Sequence, residues 1–215
     1  HTRCSRDWSS DVCSSDLGLH PYDGLKFKNE FITNTNEAFN EKVNSLLRVA
    51  GYTCCLAYGA PIITNESLLN GEAQSVNLHF GLSRFYRGSQ NNIYALSRNE
   101  FEKVGLTAHE IAKKVDGGRT LFEVAPTETE YGSIEDINSL NQFLLETAVN
   151  LLIGLLRSPP LVYRSEASIG KSELIRTRTV SIRDVIKAEN NLRAHRIRLA
   201  SLGDRKSTRL NSSHG

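Results

Sequence analysis

Residues suited to binding a phosphate group lie together in one stretch of the sequence, SEASIGKS at 165–172. A glycine lets backbone N–H groups approach a phosphate, a lysine ammonium reaches its oxygens, and a serine hydroxyl is a ligand of Mg²⁺. Gly170, Lys171 and Ser172 supply these groups in that order, directly after the apparent strand LVYR. The stretch is therefore a candidate nucleotide-binding site that would take ATP and Mg²⁺.

This spacing resembles the loop of P-loop nucleotide-binding proteins, G-x-x-x-x-G-K-[ST]. Ser165 departs from the motif, which has glycine there for the tight turn off the strand. The residues that follow, ELIRTRTV, are rich in β-branched side chains, whereas the motif needs a helix N-terminus to hold the phosphate. The alternative is an exposed polar turn between two strands, which implies no cofactor.

A second candidate site is basic and lies at 97–115, SRNEFEKVGLTAHEIAKKV. Two short helices are expected there, joined through Gly105, with Thr107 as the N-cap of the second. The arrangement resembles a helix-turn-helix. It implies contacts with DNA phosphates from His109, Lys113, Lys114 and Arg119. Ordinary helix packing within a mixed domain is the alternative.

The remaining histidines and the cysteines give little support for metal or nucleophile chemistry. A zinc-binding H-E-x-x-H motif ends in histidine, whereas HEIAK at 109–113 ends in lysine, so no metal site is predicted. His79 and His195 have no evident partner and are expected to be satisfied or solvent-facing. Cys54 and Cys55 are adjacent, and neighbours on a strand point to opposite faces, so they do not readily form a disulfide or share a metal.

The last helical stretch, residues 178–202, has a pattern of its own, a short turn followed by SIRDVIKAENNLRAHRIRLASL. It resembles the inner helices of TolC-like outer-membrane channels, in which a small turn precedes an Asp-Val-Leu-x-Ala helix. The resemblance implies a channel fragment with an upstream signal peptide and further long helices. The alternative is an ordinary helix whose basic residues form a solvated surface.

The two ends of the chain are expected to be foreign to the folded domain. Residues 7–17, when back-translated, give a DNA string whose reverse complement encodes residues 204–214. The string is that of a sequencing-library adapter, and a translated adapter carries no information about the fold of the protein. We therefore assign residues 1–17 and 204–215 to translated adapter and residues 18–203 to a genuine insert, expected to be truncated at one or both ends.

Hydrophobic periodicity predicts the elements that would position these residues. Helices are expected at about 39–50, at 134–157 and after Ser181, with capping boxes at the last two. Strands are expected at YTCCLAY, SVNLHFGLSRFY, IYAL and RTLFEVA, the second and third forming a hairpin across RGSQNN. The expected fold class is α+β, one mixed domain with an antiparallel, hairpin-rich first half and a helical second half. A subdivision near residue 97 is the alternative.

The composition of the chain does not favour a highly charged partner such as nucleic acid or an anionic membrane. The chain has 26 basic and 24 acidic residues, which gives no global basis for binding nucleic acid or an anionic membrane. Because no catalytic set stands out, the leading hypothesis is a non-catalytic binding or structural module of a bacterial or viral protein, with no cofactor and with a protein as partner. The absence of a disulfide framework from the sequence favours the cytoplasm.

Overall fold

The computed structural model describes residues 36–50, 54–69, 74–157 and 172–211. They form a mixed α+β fold, which confirms the expected fold class. The helices are α1 (Asn36–Ala50), α2 (Glu66–Leu69), α3 (Asn91–Ser97), α4 (Glu128–Ser133), α5 (Ile137–Arg157) and α6 (Ile182–Asn211). The strands are β1 (Cys54–Tyr58), β2 (Gln74–Phe80), β3 (Tyr86–Gly88), β4 (Leu106–His109), β5 (Thr120–Val124) and β6 (Glu173–Ile175). Residues 1–17, assigned to adapter, lie outside the described residues.

The larger sheet is four-stranded, with the strand order β1-β2-β4-β5. β1 and β2 are parallel, whereas β4 is antiparallel to both β2 and β5. Val76 and Leu78 of β2 are buried in the core, as their alternation predicted. Asn77 and His79 therefore lie on the other face of β2, because successive side chains of a strand point to opposite faces. A separate parallel pair joins β3 to β6.

The hairpin predicted after β2 is not formed. The segment IYAL, expected to return as a strand, lies within helix α3, and β2 pairs with β4 instead. Ala95 and Leu96 are fully buried, and α3 packs against α6. Periodicity alone does not distinguish a strand from a buried helical segment in so short an apolar run, and packing decides the outcome.

The helix-turn-helix predicted at 97–115 is also wrong. A single 3-10 turn follows α3, and Leu106–His109, expected to begin the second helix, forms β4. Because β4 is hydrogen-bonded to a strand on each side, tertiary pairing overrides the local capping pattern. Thr107 is buried rather than capping a helix. Its hydroxyl donates to the Gly81 carbonyl at 2.7 Å and accepts the Ser83 N–H at 2.9 Å.

Helix α5 confirms the long apolar helix predicted at 134–157. It begins after Asp136, whose carboxylate accepts the Ser139 N–H at 2.7 Å, and not at the predicted Ser133 cap. Its most deeply buried residues are Leu140, Leu144 and Ala148. The helix packs against β4 and β5, so it supports the sheet from the core side. Within the described ranges, no helix combines the length and the apolar character that crossing a membrane requires.

Helix α6 begins with the capping box predicted at Ser181 and Asp184. The Ser181 N–H donates to the Asp184 carboxylate at 2.8 Å, and the Asp184 N–H donates to the Ser181 hydroxyl at 3.3 Å. Ala188 and Leu192 are fully buried in the same core as the larger sheet. Because α6 also packs against α3 and α4, it is an integral helix of the mixed domain.

The candidate phosphate-binding loop falls largely beyond what the structure describes. Gly170 and Lys171 lie outside the described residues, whereas Ser172 is described and its hydroxyl accepts the Nε–H of Arg87 at 2.8 Å. Strand β6 begins at the next residue. A phosphate-binding loop leads into a helix N-terminus, so the helix that this interpretation needs is not formed here.

Candidate active site

Polar side chains from two strands and a loop converge on one carboxylate. Asn77 and His79 lie on β2, and His109 is the last residue of β4. Asp116 lies in the loop that connects β4 to β5. Asn77 and His109 are directly opposite each other in the antiparallel register. We call Asn77, His79, His109 and Asp116 the Asp116 cluster.

The Asp116 carboxylate is held from several directions. Its Oδ2 accepts the Gly88 N–H at 2.8 Å and lies 3.5 Å from His79 Nδ1. Its Oδ1 lies 3.4 Å from His109 Nε2 and 3.5 Å from Asn77 Nδ2. Burial raises the pKa of Asp116, but the adjacent imidazoles of His109 and His79 and the Gly88 N–H together lower it below its ordinary value. Asp116 is therefore an anion at neutral pH.

The partners of His109 determine which ring nitrogen carries the proton. His109 Nδ1 lies 2.7 Å from the carbonyl oxygen of Glu110, which can only accept, so Nδ1 carries a hydrogen. In the neutral ring, Nε2 is then an acceptor, and the Asn77 amide donates to it at 3.1 Å. When Nε2 takes up a proton, it faces Asp116 Oδ1. The geometry gives His109 a basic nitrogen with a counter-ion already in place.

His79 lies on the opposite side of the Asp116 carboxylate and is 7% exposed. Its ring centroid is 6.3 Å from that of His109. Burial lowers the pKa of His79 and the nearby His109 lowers it further, while Asp116 and the Tyr86 carbonyl raise it, and the net effect is a lowered pKa. His79 is thus neutral at neutral pH, and its Nδ1 lies 3.5 Å from Asp116 Oδ2.

An open cavity of about 100 Å³ gives solvent access to the cluster. Asn77, His109 and Asp116 line it, whereas His79 does not. The other lining residues are mainly apolar and include Ile62, Ile63, Ile111 and Val115. The cavity therefore combines apolar side chains with the polar groups of the cluster. Among the side chains that the structure describes, no group of three or more His, Cys, Asp or Glu is arranged to hold a metal ion.

Of the residues selected from the sequence for nucleic-acid binding, only His109 belongs to the cluster. Lys113 lies on the rim of the cavity and is exposed, as is Lys114. Arg119 is exposed and forms an ion pair with Glu110. His79, expected to be either satisfied or solvent-facing, is buried, and its ring contacts Asp116 and the Asn91 amide.

Sequence reasoning missed Asn77 and Asp116 as functional residues. The signal that was available is the Asn-x-His spacing on a predicted strand, which places two polar side chains on one face.

The stability of the folded chain should fall in acid as Asp116 takes up a proton. The folded-state pKa of Asp116 is depressed, so its stabilisation is present above the unfolded-state pKa and is lost as the pH falls through the folded-state pKa. We expect the free energy of unfolding to decrease below about pH 4, and to decrease less steeply in Asp116→Asn. Urea unfolding of both chains over a pH series measures this difference, and identical pH slopes would contradict it.

No protein-family model and no curated protein matches the chain. Solved structures similar to it include formyltransferases. A sugar N-formyltransferase from a Shewanella species is 18% identical, with 70% of this chain and 63% of that protein covered, at a TM-score of 0.48. A 4-N formyltransferase from Francisella tularensis is 15% identical, with 72% of this chain and 65% of that protein covered, at a TM-score of 0.48. The chain thus spans less than two thirds of either protein.

A third similar structure was solved with bound molecules. The formyltransferase PseJ from Anoxybacillus kamchatkensis, in complex with UDP-4,6-dideoxy-4-formamido-L-AltNAc and tetrahydrofolate, is 12% identical. The match covers 77% of this chain and 87% of that protein, at a TM-score of 0.46. With TM-scores below 0.5, the likeness assigns no reaction to this chain, and the reaction proposed below rests on the Asp116 cluster.

These comparisons correct two expectations. They contradict the prediction of a non-catalytic binding or structural module, since the similar structures are formyltransferases. The nucleotide-binding, DNA-binding and channel alternatives, at 165–172, 97–115 and 178–202, are set aside with it. The same comparisons contradict the expectation of no cofactor, since PseJ was solved in complex with tetrahydrofolate and a sugar 3N-formyl transferase in the presence of 5-N-formyl-THF.

Proposed function

We propose that this chain catalyses the transfer of a formyl group from a nitrogen-bound donor to an amine. The observation that carries the proposal is the Asp116 cluster, in which an amide, a basic imidazole nitrogen and a buried carboxylate meet at the cavity. The cluster contains no hydroxyl or thiol that would form a covalent acyl-enzyme. Its chemistry therefore favours direct attack of the amine on the formyl carbon.

Each group that faces the cavity has a role in such a transfer. The Asn77 amide, whose Nδ2 lies 3.1 Å from His109 Nε2 and 3.5 Å from Asp116 Oδ1 in the ligand-free chain, exchanges the longer of these contacts for the formyl oxygen and donates an N–H to it as negative charge develops. His109 Nε2 takes a proton from the attacking amine, and Asp116 Oδ1 stabilises the imidazolium that forms. The amine nitrogen forms a bond to the formyl carbon, the bond from that carbon to the donor nitrogen breaks, and His109 returns the proton to the leaving nitrogen.

A reduced folate is the donor we propose, following the folates named with the similar structures. When bound, such a molecule supplies the formyl group as an amide on a ring-linked nitrogen. The residues present suit it, because the same cavity is lined by the apolar side chains of Ile62, Ile63, Ile111 and Val115 and by the polar groups of the Asp116 cluster. An amino sugar is the acceptor class we propose, because the same enzymes act on sugars.

The test is a transfer assay with 10-formyltetrahydrofolate and a panel of amino-sugar nucleotides, in which release of tetrahydrofolate is followed by absorbance. We expect turnover by the wild-type chain. We expect His109→Gln to lower kcat by about 100-fold or more with little change in the KM for the donor, because the variant loses the proton-accepting nitrogen.

A matched control makes the same substitution at His195, a partly buried histidine outside the cluster. His195 stacks on Phe101, with ring centroids 4.0 Å apart, and does not line the cavity. His195→Gln should therefore leave kcat unchanged. The proposal is overturned if the wild-type chain neither transfers nor hydrolyses the formyl group, or if both histidine variants retain full activity.

A further inference from the structure

The buried amide of Asn91 lies against the imidazole of His79. Asn91 is the first residue of α3 and its side chain is fully buried. Its Nδ2 lies 2.7 Å from His79 Nε2 and 3.0 Å from the carbonyl oxygen of Tyr86. Its Oδ1 is buried and has no hydrogen-bond partner within the described part of the chain. The interactions of this amide are therefore concentrated on its nitrogen.

The Tyr86 carbonyl sets the orientation of the Asn91 amide. A carbonyl oxygen only accepts hydrogen bonds, so the group that faces it must be Nδ2 and not Oδ1. The same nitrogen then points an N–H at His79 Nε2, which must hold a lone pair in order to accept it. The proton of the neutral His79 ring is therefore on Nδ1, which faces Asp116 Oδ2 at 3.5 Å.

The other neutral tautomer is disfavoured at both ring nitrogens. The Tyr86 carbonyl also lies near the ring, but a hydrogen on Nε2 would meet the N–H of Asn91 at 2.7 Å, and the lone pair left on Nδ1 would face the Asp116 carboxylate. Both contacts are repulsive, and the low dielectric of a buried site strengthens them.

Close packing holds Asn91 in this place. A Cβ on Gly81 would lie 2.6 Å from the Asn91 Cβ, so the glycine makes the room that the amide occupies. Gly81 also has a φ of 138°, a conformation that glycine adopts readily.

We infer that Asn91 is a positioning residue that holds His79 as the Nδ1–H tautomer, so that the ring N–H faces Asp116 Oδ2. The Gly88 N–H and this ring N–H then lie on the Oδ2 side of the carboxylate, and Oδ1 faces His109 and Asn77. The consequence for turnover rests on the proposed function, whereas the tautomer itself does not. The lowered pKa of His79 supports the inference, because it keeps the ring neutral at neutral pH.

The test is long-range ¹H–¹⁵N NMR of the ligand-free wild-type chain, which distinguishes protonated from unprotonated ring nitrogens. We expect His79 Nδ1 to carry the hydrogen and Nε2 to be unprotonated. In Asn91→Asp a carboxylate faces Nε2, so the midpoint of the His79 titration should rise by about one pH unit or more. The other charged or titratable groups that face this ring are Asp116 and His109, and both are unchanged in the variant.

Asn92→Asp is the matched control. Asn92 is also buried, and its amide donates to the Gly105 carbonyl and accepts the Gly105 N–H, each at 3.0 Å. We expect that variant to be less stable than wild type and to leave the tautomer and the titration of His79 unchanged.

A wild-type ring with its hydrogen on Nε2 overturns the inference, and this measurement decides even if Asn91→Asp does not fold. A His79 titration that does not move in a folded Asn91→Asp also overturns it. If the wild-type chain has the expected tautomer but does not transfer a formyl group, the result contradicts the proposed function and not this inference.

Discussion

Replacing Asp116 with Asn is expected to lower kcat/KM for formyl transfer by about 100-fold or more. The amide preserves the shape of the side chain but removes the negative charge that faces protonated His109 Nε2 at 3.4 Å. The NH₂ group of the new amide replaces an oxygen that faces the N–H groups of Gly88, His79 and Asn77. At least one donor–acceptor contact thus becomes a repulsive contact between two donors. Steady-state kinetics with single-turnover measurements separates this loss in the chemical step from a change in donor binding.

Glu110→Gln makes the same chemical change next to the cluster. The Glu110 side chain is 40% exposed and forms an ion pair with Arg119 outside the cavity, so we expect kcat/KM within about twofold of wild type. If Asp116→Asn retained the wild-type rate, the carboxylate would have no part in catalysis. The proposal that Asp116 stabilises the protonated His109 ring would then be contradicted.

Replacing Gly88 with Ala is expected to destabilise the fold by about 3–5 kcal/mol. Gly88 has a φ of 96°, which L side chains rarely adopt, and a Cβ there would lie 2.1 Å from the carbonyl oxygen of Ile175. The neighbour is backbone of the paired strand β6, so it can move only by opening the β3–β6 pair. Urea unfolding measures the loss. Formyl transfer should fall as well, because the Gly88 N–H that binds Asp116 would shift.

Gly132→Ala provides the opposite case. Gly132 lies in helix α4, and a Cβ built there meets no heavy atom within 4 Å. Since alanine is the better helix former by about 1 kcal/mol, we expect a small gain in stability. If Gly88→Ala unfolds at the same urea concentration as wild type, β3 and β6 do not approach as closely as described.

Elements whose signal is local were predictable from the sequence. The 3.6-residue stripe of α1, the apolar length of α5 and the Ser181–Asp184 capping box of α6 each depend on neighbours in the chain, and each is found in the structure. The predictions failed at IYAL and at Leu106–His109. Both segments are short, and their conformations are decided by α6 and by the flanking strands, which are distant in sequence.

The candidate site was hidden for the same reason. The Asn77-x-His79 spacing shows only that two polar side chains share a face of one strand. Their chemistry depends on His109 pairing opposite Asn77 and on Asp116 entering from a loop, and no spacing rule gives either contact. His109 was selected from the sequence, but for phosphate contacts on a helix that does not form.

The pairing of β3 with β6 determines how much of the chain must be synthesised before the Asp116 cluster can form. Gly88 holds Asp116 from β3, and β3 is bonded to β6 through flanking contacts such as Ser89 N–H to Ile175 O at 2.9 Å. A nascent chain exposes Asn77, His79, His109 and Asp116 well before Glu173–Ile175 has been synthesised, and a pairing between distant segments forms only when both are present. We therefore expect the Asp116 cluster to be fixed only after strand β6 has been synthesised, and chains terminated before β6 to carry the residues of the cluster without the strand that pairs with β3.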